Sequence, residues 1–190
     1  CTRVASSGRS LGTNRYLQND TYIYPAPTTG AQNVVASFSG ASALSASVVV
    51  ATYTGVYAFN EVGGANGSST APSVSVTTRT DSTYVVGGIV TENSGSQTVA
   101  PGTDITERRE QSAPGNYTGD DHITTIQDKA VASAGAATFN GTLGASDDWA
   151  ITGVELWPTG VVNHKTNLVS WWPLDETSGT RYDSHGTNHL

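Results

Sequence analysis

No stretch of this chain repeats its apolar residues with a helical period. Short runs of β-branched and small residues recur instead, cut by Gly and Pro roughly every 8–12 residues, which is the spacing of an all-β sandwich. Thr21–Tyr24 reads as a strand stopped by Pro25-Ala26-Pro27, because proline gives no ladder donor. Val34–Phe38 and Ser47–Tyr53 read as the next two, and Ala58-Phe59 as the exit into a loop at Gly63–Gly67. Ser73–Thr77 alternates polar and apolar, as a half-buried strand does. Thr83–Val90 is apolar almost throughout, which fits burial on both faces, and Gly87-Gly88 inside it suggests a bulge or a close backbone approach. Ile105–Gln111 is a polar strand, His122–Lys129 a polar strand suited to a sheet edge, and Ala136–Asn140 a further strand. Asp148–Trp157 does not alternate cleanly and belongs at a sheet centre. Trp149, Ile151, Val85, Val86 and Phe38 are expected to share a core.

Composition narrows the function. Apolar residues are 36% and charged residues 13% of 190, against roughly 45–50% and about 25% in ordinary domains. Disorder is not the reason, since disordered chains combine low hydrophobicity with high net charge. The net charge is -7, with only 9 Lys+Arg, so no basic face offers itself to nucleic acid or to an anionic membrane. No apolar run approaches the roughly 18–20 residues of a membrane helix. Cys1 is the one cysteine, so no internal disulfide is expected, and the absence of Met implies a processed end, a fragment or a mid-chain start.

The residues that carry chemistry elsewhere read here as structural. Asp120-Asp121 and Asp147-Asp148 are the acidic pairs on which a Ca²⁺ site could start, but turn chemistry suits them better. His185 and His189 lie four apart without a third ligand nearby, too few for zinc, and His122 and His164 stand apart from them. Glu107 and Glu110 flank Arg108 and Arg109, which favours cross-strand ion pairs over a glycosidase pair. No serine sits in a nucleophile elbow and Cys1 has no base in sequence view. No enzyme activity and no cofactor are therefore expected. Tyr22, Tyr24, Trp171 and Trp172 are aromatic anchors for assembly, with sugar stacking as the competing use.

Two stretches resemble known families. Pro27–Val35, Phe38-Ser39-Gly40, Thr54-Gly55-Val56, Ser73–Val76, Thr106-Glu107-Arg108 and Ser146–Ile151 together make residues 22–158 similar to a β-sandwich module of bacterial surface and phage structural proteins. That resemblance implies no catalytic residues and further strands before the start of this chain, with Arg3–Ser7 as the tail of an earlier hairpin. Asn167–Glu176, Ser178-Gly179-Thr180 and Asp183–Gly186 resemble the opening of laminin-G-like, concanavalin-type jelly-roll domains. Such domains bind glycans or proteins, sometimes through calcium, but their later ligand residues have no counterpart before Leu190.

The expected protein is therefore an all-β antiparallel sandwich of jelly-roll or immunoglobulin-like type, incomplete at its N-terminus, with a short extended C-terminal segment. Residues 1–157 form the sandwich, 158–166 a linker and 167–190 the start of a second domain. The expected role is a non-enzymatic structural or decorating subunit of an extracellular assembly, on a virion or cell surface. Its partners would be copies of itself or other subunits, through its terminal segments. The alternative is a carbohydrate-binding or adhesion module with a glycan as partner.

Overall fold

The computed structural model describes residues 1–12, 15–25, 30, 33–37, 45–92, 97–114 and 121–159. These fall within one compact unit, Cys1–Gly160. Phe38, His164, Trp171, Trp172, His185, His189, Asp120 and most of the expected linker and second domain lie outside the described residues.

Among the described residues there are ten strands and no helix. They are β1 (Thr2–Ser10), β2 (Tyr16–Ile23), β3 (Val56–Ser69), β4 (Ser73–Thr78), β5 (Thr83–Glu92), β6 (Val99–Pro101), β7 (Ile105–Ala113), β8 (His122–Val131), β9 (Gly135–Leu143) and β10 (Asp147–Pro158). One antiparallel sheet has the order β3-β10-β5-β8-β7 and a second the order β4-β9-β6, while β1 and β2 form a separate hairpin. From β3 onward the chain changes sheet at every step except β7 to β8. First and last strands of the eight lie side by side, and the connectivity is that of a jelly roll, two interlocked Greek keys. The departure is β7, which joins the larger sheet beside β8 instead of extending the smaller one. β6 offers it little to pair with, being three residues long and ending on a proline.

Residues 149 and 151 of β10, 85 and 89 of β5, and 123 of β8 face the smaller sheet. There Trp149, Ile151, Val85, Ile89 and Ile123 pack with Val74, Val76 and Phe139 in one buried cluster. Of the expected core, Trp149, Ile151 and Val85 are placed in this cluster. Val86 is also buried, but strand alternation turns it to the opposite face of the sheet.

That opposite face is covered too, which is why β5 is buried along nearly its whole length. The β1–β2 hairpin lies on it. Leu17 packs on Val90 and Ala150, Asn19 donates from Nδ2 to the Gly88 carbonyl at 2.6 Å, and Thr21 and Thr152 share a hydroxyl hydrogen bond of 2.7 Å. Ser7 donates to the Ala65 carbonyl, and Arg9 pairs with Asp148 at 2.6 Å. Over β8 the cover is an extended segment, residues 45–53, anchored by side chains and without a ladder partner among the described residues.

Several expectations change. Arg3–Ser7 lies in β1, which pairs with β2 as an antiparallel hairpin. Residues 33–37 are exposed and irregular, and 45–53 is extended but joins no sheet, so neither is a strand. His122–Lys129 is flanked by β5 and β7 and is not an edge; the polarity of its outer face is answered by Ser45, Ser47, Tyr53 and Arg108. The expected loop at Gly63–Gly67 is the middle of β3. Its glycines serve close packing. A Cβ on Gly63 would stand 2.8 Å from the Ser75 carbonyl of β4, and one on Gly67 would stand 2.7 Å from the Trp149 ring. Gly153 lies beside Gly63 and Gly87 beside Gly153 in register, so a glycine row crosses three strands; Val74 and Val76 of β4 sink against Gly63 and Gly153, while Gly87 lies close on the β10 backbone. The β5–β10 register runs unbroken through Gly87-Gly88, and the β5–β8 register keeps one offset on either side of unpaired Gly88-Ile89, so these glycines mark a close approach and not a bulge.

Candidate functional site

Beyond the hairpin's hydrogen bond to Thr152, the outer face of the larger sheet opens into a cleft of about 400 Å³. β10 supplies Leu156 and Pro158 to its lining, β5 supplies Tyr84, β7 supplies Arg108, and residues 51–56 form a wall. Arg108 reaches the cleft because of a β-bulge. The β7–β8 register shifts between Glu107 and Arg109, leaving Arg108 as the extra residue. Bulges re-aim side chains in this way, often beside functional sites.

The Asp128 carboxylate, 3% exposed, organises the site. Its Oδ2 accepts from Arg108 Nε at 2.5 Å and from the Tyr53 hydroxyl at 2.8 Å, and its Oδ1 accepts from Arg108 Nη2 at 3.0 Å. The guanidinium is thus held bidentate in a fixed plane, on the solvent side, with its side chain 48% exposed. Burial, and then the hydrogen bond and charge of Asp128, push the Tyr53 phenol well above its ordinary pKa. It stays protonated and donating. The ion pair is the cross-strand pairing expected of Arg108, and Tyr84 beside it keeps 42% of its surface exposed.

A second polar cluster sits at the other end of β8. His122 is buried, with Ser45 Oγ 2.8 Å from Nδ1 and Ser47 Oγ 2.7 Å from Nε2. Ser47 donates onward to Thr124. With both ring nitrogens engaged, the imidazole acts as a clamp that holds residues 45–47 to the sheet. Burial lowers its pKa, with the Asp121 charge opposing.

The acidic pairs and carboxylates have structural work. Asp147 Oδ1 accepts from the Asp148 backbone N–H at 2.8 Å, and Asp148 carries the Arg9 ion pair. Glu110 has its pKa raised by burial and then by the Glu107 charge, so these two carboxylates sense one another across β7. Glu155 is fully buried, and its Oε1 accepts from the Arg79 and Thr80 backbone, tying the β4–β5 turn to β10. No cluster of three potential metal ligands occurs among the described residues.

Of the residues expected to anchor assembly, Tyr22 and Tyr24 are 55% and 62% exposed at the end of β2, and neither lines the cleft. Trp171 and Trp172 lie outside the described residues. Sequence reading passed over Tyr53, Tyr84 and Asp128, since a cleft built from four separated segments leaves no local spacing to find. Two consecutive arginines in a polar strand were the one available sign of the bulge. No protein-family model, curated protein or solved structure matches this chain.

Proposed function

We propose that this chain is a non-enzymatic structural subunit of an extracellular assembly and that it joins a second copy of itself along β3. The observation that carries this reading is the outer edge of β3. The strand is 14 residues long and pairs only with β10 among the described residues. It contains no Lys, Arg or Pro, and its single charge, Glu61, is matched by Arg79 at 2.5 Å. Long edge strands of monomers are normally blunted by such residues, because unpaired N–H and C=O groups template another strand. Two bulges interrupt the first half of β3, but Val62–Ser69 runs in unbroken register. Val56, Tyr57, Phe59 and Val62 are 38%, 65%, 37% and 49% exposed.

Strand addition across a two-fold axis would continue the larger sheet from copy to copy. The likeness of residues 22–158 to modules of bacterial surface and phage structural proteins is the ground for reading the assembly as one on a virion or cell surface. The test is molar mass by light scattering across a concentration series. The chain is expected to form dimers or larger species that Tyr57→Lys/Phe59→Lys returns to monomers with unchanged circular dichroism. A wild-type chain that stays monomeric at high concentration sinks the proposal.

A further inference from the structure

We infer that the cleft between Tyr84, Arg108 and residues 51–56 is a binding site for a neutral saccharide. The inference stands on the cleft alone and does not require the β3 assembly.

Four features of the site select that class of ligand. The first is a half-exposed tyrosine, Tyr84, in the cleft lining on the central strand of the sheet. An aromatic ring presented to water on one side offers a flat apolar surface to the C–H face of a sugar ring. The second is a planar donor held in place. Asp128 engages Arg108 Nε and Nη2, and the guanidinium has five N–H donors, so some remain to point away from the carboxylate. Such fixed forks suit vicinal hydroxyls, and the bulge at Arg108 is what aims this one outward.

The third feature is charge. Asp128 neutralises Arg108 within the site, and the chain as a whole carries -7. An anionic ligand such as a phosphate or an acidic sugar would meet no unbalanced positive charge, so the site favours a neutral polyol. The fourth is size and rim. About 400 Å³ lies near the lower end of ordinary ligand clefts, which run from roughly 300 to 1,000 Å³. That suits one or two sugar rings. Thr52, Thr54 and Leu156 are among its lining residues, so the rim mixes polar and apolar side chains. Tyr53, held protonated by its bond to Asp128, keeps an acceptor lone pair on its oxygen.

The experiment is saturation-transfer NMR, followed by titration calorimetry. The probes are neutral methyl hexosides, N-acetylhexosamine glycosides and their disaccharides, run beside glucuronic acid and inorganic phosphate. At least one neutral sugar should bind with millimolar affinity, with transfer strongest to ring C–H protons, while the two anions stay silent. Tyr84→Ala and Arg108→Gln should each weaken that affinity at least tenfold, with circular dichroism and light-scattering mass unchanged. Thr54→Val, at the rim, should weaken it less. Failure of every neutral probe at tens of millimolar would overturn the inference. So would binding that neither variant weakens, or anion binding stronger than neutral binding. A Tyr84→Ala change that alters oligomer mass but no sugar signal would assign the cleft to a protein contact and overturn it as well.

Discussion

Trp149 shows how much one side chain can hold in this sandwich. Its indole fills the space above Gly67, its Nε1 donates to Ser69 Oγ at 3.0 Å, and the residue is 7% exposed. Trp149→Ala removes both the packing and the hydrogen bond, and should destabilise the fold by about 3–5 kcal/mol, read from the denaturant midpoint. His122 makes a smaller contribution that depends on pH. Its pKa is lowered in the fold by burial, so the unfolded chain binds this proton more readily. The stabilisation is complete above the ordinary value of 6.5 and is lost as pH falls from there through the lowered folded value. The slope is at most ~1.4 kcal/mol per pH unit. Urea midpoints should therefore fall between about pH 7 and pH 5, and His122→Gln should flatten that fall. At this scale the sequence disclosed Trp149, Ile151 and Val85 as core because their runs are too apolar for anything else. It did not disclose Asp128 or Tyr53, whose meaning lies in partners 20 and 75 residues away.

At the scale of elements, the glycine row is the most exposed to a single change. Gly87 has Thr152 and Gly153 so close that a Cβ would overlap the Thr152 carbonyl. Gly87→Ala should push β5 and β10 apart and destabilise the protein by at least about 3 kcal/mol, beyond ordinary overpacking. An alanine variant with an unchanged melting midpoint would refute that account of the row. The same logic explains why β3 reads as a loop in the sequence. Gly63-Gly64-Ala65-Asn66-Gly67 has poor strand propensity, yet at its three glycines β4, β1 and the Trp149 ring come too close for a Cβ. Ser47–Tyr53 is the reverse case. Its valines suit a strand, but Ser45, Ser47 and Tyr53 point down onto β8 while Val48 and Val50 face out, and the segment lies on the sheet instead of in it.

For the molecule as a whole, chain order and spatial order differ in a way that governs folding. β10 is the last described strand, and it lies between β3 and β5, which do not pair with each other. Ala65 meets Ile151 across that interface, so closure of the larger sheet must await nearly the whole unit. Non-local pairings of this kind fold slowly. Refolding should take place on a timescale of roughly milliseconds to seconds or longer in stopped-flow fluorescence of Trp149. A chain ending before Asp147 should show no cooperative unfolding transition. A truncated chain that still melts cooperatively would mean that β4, β5, β8 and β9 form a core without β10.

The residue pattern alone determined the class of fold, because alternation, Gly and Pro spacing and β-branched content act locally and admit only short strands. It also pointed to β5 and β10 as central, β5 because a strand covered on both faces is nearly continuous in apolar residues and β10 because its apolar residues do not alternate. Tertiary structure decided the rest. Which strands neighbour one another, that β7 joins β8 and not β6, and that a bulge turns Arg108 outward to Asp128 depend on packing between distant segments. The cleft exists only where residues 51–56 pass over the ends of β5 and β10. Local propensity is silent about such meetings, because the energy that fixes them is released only when both sides are present.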